Sequence, residues 1–180
     1  MKYFIADMHF YHYDIIGFSN RPFTDIADMN QQLISNWNNT VMSSEDEVYV
    51  LGDFVYMGDG KQATDILRQL RGKKYLIKGN HEEYLNDPEF DDSQFEWVKD
   101  YYSFRYDQRQ FVLFHYPMLE WDGFYDRTIQ LYGHVHQTRA DYFKNMLGIN
   151  ALNVGADMIN YRPISINNVI QIINEREMSW

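Results

Sequence analysis

Five of the six histidines in this 180-residue chain stand in short motifs, four of them in company with Asp, Asn or Gly. Asp7-Met8-His9 comes first, and Gly52-Asp53 follows. Then come Gly79-Asn80-His81-Glu82, Phe114-His115-Tyr116-Pro117 and Gly133-His134-Val135-His136. Carboxylate, amide and imidazole groups in this number can hold two adjacent divalent ions, the equipment for attacking a phosphorus ester. Cysteine is absent, so thiolate ligation and disulfides are excluded, and any metal must be held by nitrogen and oxygen.

A two-metal site needs one ligand that reaches both ions across roughly 3.5–4 Å, which a carboxylate does best. Asp53 is the candidate bridge. The full candidate ligand set is Asp7, His9, Asp53, Asn80, His115, His134 and His136. Alternation in His134-Val135-His136 puts two imidazoles on one side of an extended segment, where each can reach a different ion. Glycines at 52, 79 and 133 precede ligands and allow turns or close approaches that a side chain would block. His81 directly follows Asn80, so the two cannot comfortably share an ion. Its imidazole is left to protonate a departing alkoxide, a contribution of about 10²–10⁴-fold. The ions would supply a bridging hydroxide as nucleophile.

Two residues just past the first ligands have competing readings. Arg21 could grip a phosphate bidentately or make a structural ion pair, and His12 could touch substrate or be a surface group. Tyr116, Trp121, Phe124 and Tyr125 could stack on a substrate ring, with core packing or plain exposure as the alternative.

The elements that must position these groups are legible from periodicity. Lys2 to Ala6, Glu47 to Leu51 and Lys74 to Lys78 read as strands, each ending at a candidate ligand. Gln110 to Phe114, Thr128 to Tyr132 and Ile149 to Val154 read the same way, the last running into Gly155-Ala156-Asp157. Met29, Leu33, Trp37 and Val41 predict a helix from Ile26, capped by Thr24 or Asp25. Ala63, Ile66, Leu67 and Leu70 predict a second, stopped by Gly72, and Ser165 caps a closing helix through Val169 and Ile173. The acidic stretch from Asp87 to Asp92 reads as a surface loop, and the second half as β-rich with little helical pattern. Ligands at the ends of successive strands suit an open α/β sheet, whose crevice lies beyond the strands' carboxyl ends.

Hydrophobic residues make up 45% of the chain and charged ones 23%, which excludes disorder and predicts one domain over 1–180. No apolar run suits a signal peptide or a membrane span, so a soluble, cytoplasmic protein is expected. The net charge of -10 disfavours a broad basic grip on nucleic acid. A bound cation pair would nonetheless reverse the sign locally.

As an ordered set, these motifs resemble the calcineurin-like metallophosphoesterase superfamily, whose signature is Asp-x-His, Gly-Asp, Gly-Asn-His-Asp/Glu, a lone His and Gly-His-x-His. The opening stretch, with His12 and Asn20 to Phe23, is similar to a small bacterial and phage branch. The resemblance implies a four-layer αββα sandwich with two mixed β-sheets. It implies one ion held by Asp7, His9, Asp53 and His136, a second held by Asp53, Asn80, His115 and His134, and His81 in the place of the histidine that assists the leaving group. Mn, Fe, Zn, Co and Ni all suit such ligands. The expected activity is hydrolysis of phosphomonoesters or phosphodiesters of small or nucleotide-like substrates. A nuclease using the same site and a non-catalytic scaffold are the alternatives. Tyr56 departs from the pattern, since many members carry Asp or Gly three positions past the Gly-Asp carboxylate.

Overall fold

The first strand shows the rule that layers the molecule. In β1 (Lys2–Ile5) the side chains of Tyr3 and Ile5 face a helical layer while Phe4 turns the opposite way into a second core. The same alternation holds in β2 (Glu47–Leu51), where Val48 and Val50 face the helices and Tyr49 and Leu51 the other core. β3 (Lys73–Ile77) follows suit with Leu76 on one side and Ile77 on the other. These strands are buried on both faces, as parallel strands in layered α/β proteins are.

This computed structural model describes residues 1–178. The helices over the first sheet are α1 (Tyr13–Phe18), α2 (Ile26–Thr40) and α3 (Gly60–Gln69). Helix α2 begins where Asp25 accepts the Asp28 N–H at 2.9 Å, and it buries Met29, Leu33 and Trp37 at helical spacing. Helix α3 starts with a reciprocal cap between Asp59 and Gln62. The Trp37 indole N–H donates to the Arg71 carbonyl at 2.9 Å, fastening α2 to the turn before β3.

The remaining elements are β4 (Trp97–Lys99), β5 (Tyr102–Tyr106), β6 (Arg109–Leu113), β7 (Ile129–Tyr132), α4 (Ala140–Leu147), β8 (Ala151–Asn153), β9 (Ile164–Ser165) and α5 (Ile166–Met178). One sheet has the order β4-β3-β2-β1-β9 with only β9 antiparallel, and the other the order β5-β6-β7-β8 with only β5 antiparallel. Phe111, Leu113, Ile129, Leu131 and Leu152 from the second sheet meet Phe4, Tyr49, Leu51 and Ile77 from the first. Val112, Tyr132 and Ala151 point outward under α4 and Trp121. The result is a four-layer sandwich of helices, two mixed sheets and helix, as the motif resemblance implies. Helix α5, capped by Ser165 Oγ accepting the Asn168 N–H at 3.2 Å, closes the core between the sheets with Ile166, Val169 and Ile173.

The expected strands and long helices are present with ends shifted by a residue or two. Helix α4 corrects the reading of the second half as lacking helical pattern. Together with α1, β4, β5 and β9 it lies outside the sequence reading, because elements of two to eight residues carry too few periodic positions to register. No helix among the described residues is long and apolar enough to cross a membrane.

Candidate metal centre

Six strand exits converge at one edge of the sandwich. In the first sheet β1 leads to Asp7, β2 to Asp53 and β3 to Asn80; in the second, β6 leads to His115, β7 to His134 and β8 to Asp157. The sheets are tied together at this edge. Ala6 bridges Gly155, with Ala6 N–H donating to the Val154 carbonyl at 2.9 Å and Ala156 N–H to the Ala6 carbonyl at 2.8 Å. Asp7 N–H reaches the Gly52 carbonyl at 3.0 Å and His9 N–H the Asp53 carbonyl at 3.0 Å. The first two motifs are thereby locked side by side.

Two groups of donors result. Asp7, His9 and His136 form one, and Asp53, His115 and His134 the other; within each group the ligand atoms lie within 4.8 Å of one another. Asp53 stands between them. Its Oδ2 is 3.5 Å from His9 Nε2 and its Oδ1 is 3.6 Å from His115 Nε2, so each oxygen addresses a different group. Asn80 Oδ1 joins the second group at 3.1 Å from His115 Nε2.

Outer hydrogen bonds decide which imidazole nitrogen is free to ligate. His115 Nδ1–H donates to the Leu51 carbonyl at 2.8 Å, so its Nε2 carries the lone pair. That lone pair faces the Asn80 and Asp53 oxygens, an arrangement of acceptors that a bound cation makes favourable. His136 Nδ1–H donates to Asp157 Oδ2 at 2.7 Å, again freeing Nε2. His9 Nδ1 faces His12 Nδ1 at 3.3 Å, and the buried His9 Nε2 has no hydrogen-bond partner. Buried polar atoms are seldom left unpaired, and this one points at a carboxylate in the ligand group. The donor set therefore fits divalent metal.

The backbone is bent to achieve this. Asp7, His9, Asp53, His134 and His136 all have positive φ, a region that costs non-glycine residues energy and recurs at functional sites. Gly52 has a φ of 86° and packs so tightly on the next motif that a Cβ would lie 2.6 Å from Gly79 Cα. Glu82, the last residue of Gly79-Asn80-His81-Glu82, is buried, and its Oε1 accepts the Asp53 N–H at 2.7 Å and the Gly79 N–H at 3.3 Å. Asp53 Oδ1 in turn accepts the backbone N–H groups of Asn80 and His81, each at 3.0 Å.

Arg21 is not turned to the crevice. Its Nε donates to Asp157 Oδ1 at 2.8 Å, and its two terminal nitrogens donate to the Met8 and Asp7 carbonyls at 2.8 and 2.7 Å. With a fully buried side chain and its donors engaged, Arg21 makes the structural ion pair, and the phosphate-gripping alternative is corrected. His12 is also buried, packed on Tyr56 and His9, so the surface reading is corrected too, while it still lines part of the crevice. Trp121 is core, and Tyr125 is exposed and bonded to Glu120. Asp157, which holds both Arg21 and His136, was not among the candidates; its position at a strand exit, after Gly155-Ala156, was the available signal.

Burial dominates the electrostatics. It depresses His9 well below the ordinary imidazole value, helped by the neighbouring His136 and Arg21, and depresses His115 and His134 likewise. Burial also lifts Asp7 to about 7 and Glu82 to about 8. For His136 burial works against the charge, but the bond to Asp157 and the Asp7 carboxylate outweigh it and raise the value. The crevice has a volume of about 310 Å³ and is lined by His9, Asp53, Asn80, His81, His134 and His136 beside a wall that includes Phe18.

Residues 3–104 match the family model for calcineurin-like phosphoesterases. The chain belongs to that family. Metal-dependent hydrolysis of phosphoric esters is the family's chemistry, and two donor groups suited to divalent metal are present in this phosphoesterase. The uncharacterized protein MJ1445 of Methanocaldococcus jannaschii is 32% identical over 175 residues, which is 96% of this chain and 91% of that one. The crystal structure of AQ665 from Aquifex aeolicus, a protein of unknown function, matches the phosphoesterase with a TM-score of 0.72 and 26% identity, covering 96% of this chain and 98% of that one.

The buried charges can be tested by substitution and by pH. Arg21→Ala removes the cation from the buried Asp157 carboxylate, leaving it the His136 bond, and should cost about 3–5 kcal/mol of stability in chemical denaturation, with KM of the remaining folded enzyme unchanged. Asp157→Asn should weaken metal binding by about 10–100-fold in calorimetry, and undiminished affinity would remove Asp157 from the site. A further prediction concerns pH in the presence of a chelator. Folding raises the pKa values of Asp7, Glu82 and His136. From about pH 7 to 8 the folded chain then binds more protons than the unfolded one, so stability falls as pH rises. The histidines with depressed values are mostly neutral in both states over that window. The melting midpoint in EDTA should drop from about pH 7 to 8, more shallowly in Asp7→Asn; a rising midpoint would contradict the assignment.

Proposed function

We propose that the crevice binds two divalent transition-metal ions and hydrolyses phosphomonoesters or phosphodiesters of small or nucleotide-like compounds. Asp7, His9, Asp53 and His136 would hold one ion, and Asp53, Asn80, His115 and His134 the other. One observation carries the reading: the two oxygens of Asp53 lie 3.5 and 3.6 Å from imidazole nitrogens of separate donor groups. A carboxylate so disposed is suited to bridging.

Bound there, such a pair supplies an activated water and neutralises charge on the phosphoryl oxygens. The chain supplies the rest. Asp53 is held at its backbone by Glu82 and gives up none of its reach to do so, because the Asn80 and His81 N–H groups fix one oxygen from the side. His81 lines the crevice from the turn that those bonds anchor. As the bond from phosphorus to the leaving oxygen breaks, the His81 imidazolium gives that oxygen a proton, so an alcohol departs. Phe18, 72% exposed at the mouth, offers an apolar surface to the organic part of the substrate.

The test is hydrolysis by metal-reconstituted protein of bis-aryl phosphodiesters, aryl monoesters, cyclic nucleotides and single-stranded DNA. Asp53→Asn should abolish turnover of all of them and lose metal by elemental analysis; near-normal activity in that variant would refute the bridge. His81→Ala should retain both ions and lose about 10²–10⁴-fold in rate, most for poor leaving groups. Loss of metal in that variant would make His81 a ligand instead.

A further inference from the structure

His81, like His134, differs from the other imidazoles of the crevice in that only its backbone N–H is hydrogen-bonded. His115 and His136 are oriented by hydrogen bonds from Nδ1 to a carbonyl and a carboxylate, and His9 is paired with His12. Among the described residues the His81 ring has no hydrogen bond; only its backbone N–H is bonded, to Asp53 Oδ1 at 3.0 Å. A proton donor free to rotate about its side-chain bonds delivers its proton in few of its orientations. What touches the ring is Tyr56, edge-to-face at 90° with centroids 4.5 Å apart, and more distantly His9 at 5.8 Å.

Tyr56 is itself well fixed. Its backbone N–H donates to the Phe10 carbonyl at 3.0 Å, next to the bridge between Phe10 and Val55 that extends the pairing of the first two motifs. Its ring lies on His12 with centroids 3.9 Å apart and planes 32° from parallel. Immediately afterwards Met57 takes a positive φ and an exposed position, so the chain leaves the site and the ring stays behind. The aromatic ring thus stands on a rigid loop with one face on His12 and meets His81 at right angles, an arrangement that the ring quadrupole favours and that limits rotation of the imidazole.

We infer that Tyr56 is a positioning residue for the phosphoesterase reaction: it acts through His81 by packing against the imidazole and holding it toward the leaving-group oxygen. The inference rests on the leaving-group role proposed above for His81. It assigns the work to the ring and not to the hydroxyl, so phenylalanine should serve and an aliphatic side chain should not.

The experiment measures kcat for Mn²⁺-loaded protein over a series of aryl methyl phosphodiesters of increasing leaving-group pKa, in wild type, Tyr56→Leu, Tyr56→Phe, His81→Ala and the Tyr56→Leu, His81→Ala double variant. Tyr56→Leu should lower kcat by about 10–100-fold for the poorest leaving groups, steepening the dependence in the same direction as His81→Ala. KM and Mn²⁺ affinity by calorimetry should be unchanged, Tyr56→Phe should keep the wild-type slope, and the double variant should be no steeper than His81→Ala alone. In chelator-treated protein, the His81 Cε1–H resonance should lose its ring-current shift in Tyr56→Leu and keep it in Tyr56→Phe. An unchanged slope in Tyr56→Leu beside a steepened one in His81→Ala overturns the inference alone. Weakened Mn²⁺ binding in Tyr56→Leu also overturns it, by making Tyr56 a support for His9. An unchanged slope in His81→Ala overturns the leaving-group role itself, a different failure.

Discussion

Electron pairs of one sign crowd into this crevice, and the rest of the structure serves to keep them there. Two carboxylates, an amide oxygen and several imidazole lone pairs converge within a few ångströms in the interior, where low dielectric sharpens their mutual repulsion. Left to relax, such groups would turn apart or take up protons, and Asp7, raised to about 7 chiefly by burial with Asp53 and Asp157 adding repulsion, is pushed toward its protonated form. Side-chain packing alone would resist weakly. The resistance is in the backbone, which carries five candidate ligand residues at positive φ and is pinned by peptide hydrogen bonds from one motif to the next.

That pinning explains why two sheets are needed. A parallel sheet brings strand exits to one edge, but neighbouring exits from a single sheet lie in a row and cannot surround a small volume. Here the exit of β1 pairs with that of β2 on one side and with that of β8 on the other, through Ala6 and Gly155. The ligand row of the first sheet is folded over onto the ligand row of the second. The aromatic core of Phe4, Tyr49, Phe104 and Phe111, stacked between the sheets, sets their separation and hence the width of the donor groups.

The candidate ligands were legible in the sequence because each follows an apolar strand, most of them beside a glycine or in an Asp-x-His pair, and strand periodicity can be read locally. The same local reading could not assign Arg21. Its partner Asp157 is 136 residues away, and whether a guanidinium faces solvent or a buried carboxylate depends on which loops pack together. His12 was undecided for the same reason, since its neighbour Tyr56 arrives from another motif. Helix α4 escaped because eight residues give two turns, and its buried position is Leu147 alone. The rule that emerges is physical: groups that act through their own position on a strand can be found from spacing, and groups that act through a distant partner cannot.

Charge distribution shapes what such a site can accept. The chain carries 26 acidic residues against 16 lysines and arginines, so its surface as a whole repels polyanions. Among the described residues no lysine or arginine lines the crevice, and the Arg21 guanidinium is consumed by Asp157. Attraction for phosphate would then come chiefly from cations seated among the donor groups, whose influence beyond about 10 Å is screened at ordinary ionic strength. A long nucleic acid would meet that attraction at one phosphate and an unfavourable field at all the others, whereas a small ester would meet only the favourable part. Under the proposed function, the acidity that disfavours a broad grip on nucleic acid would act, with cations in the crevice, as a filter for substrate size.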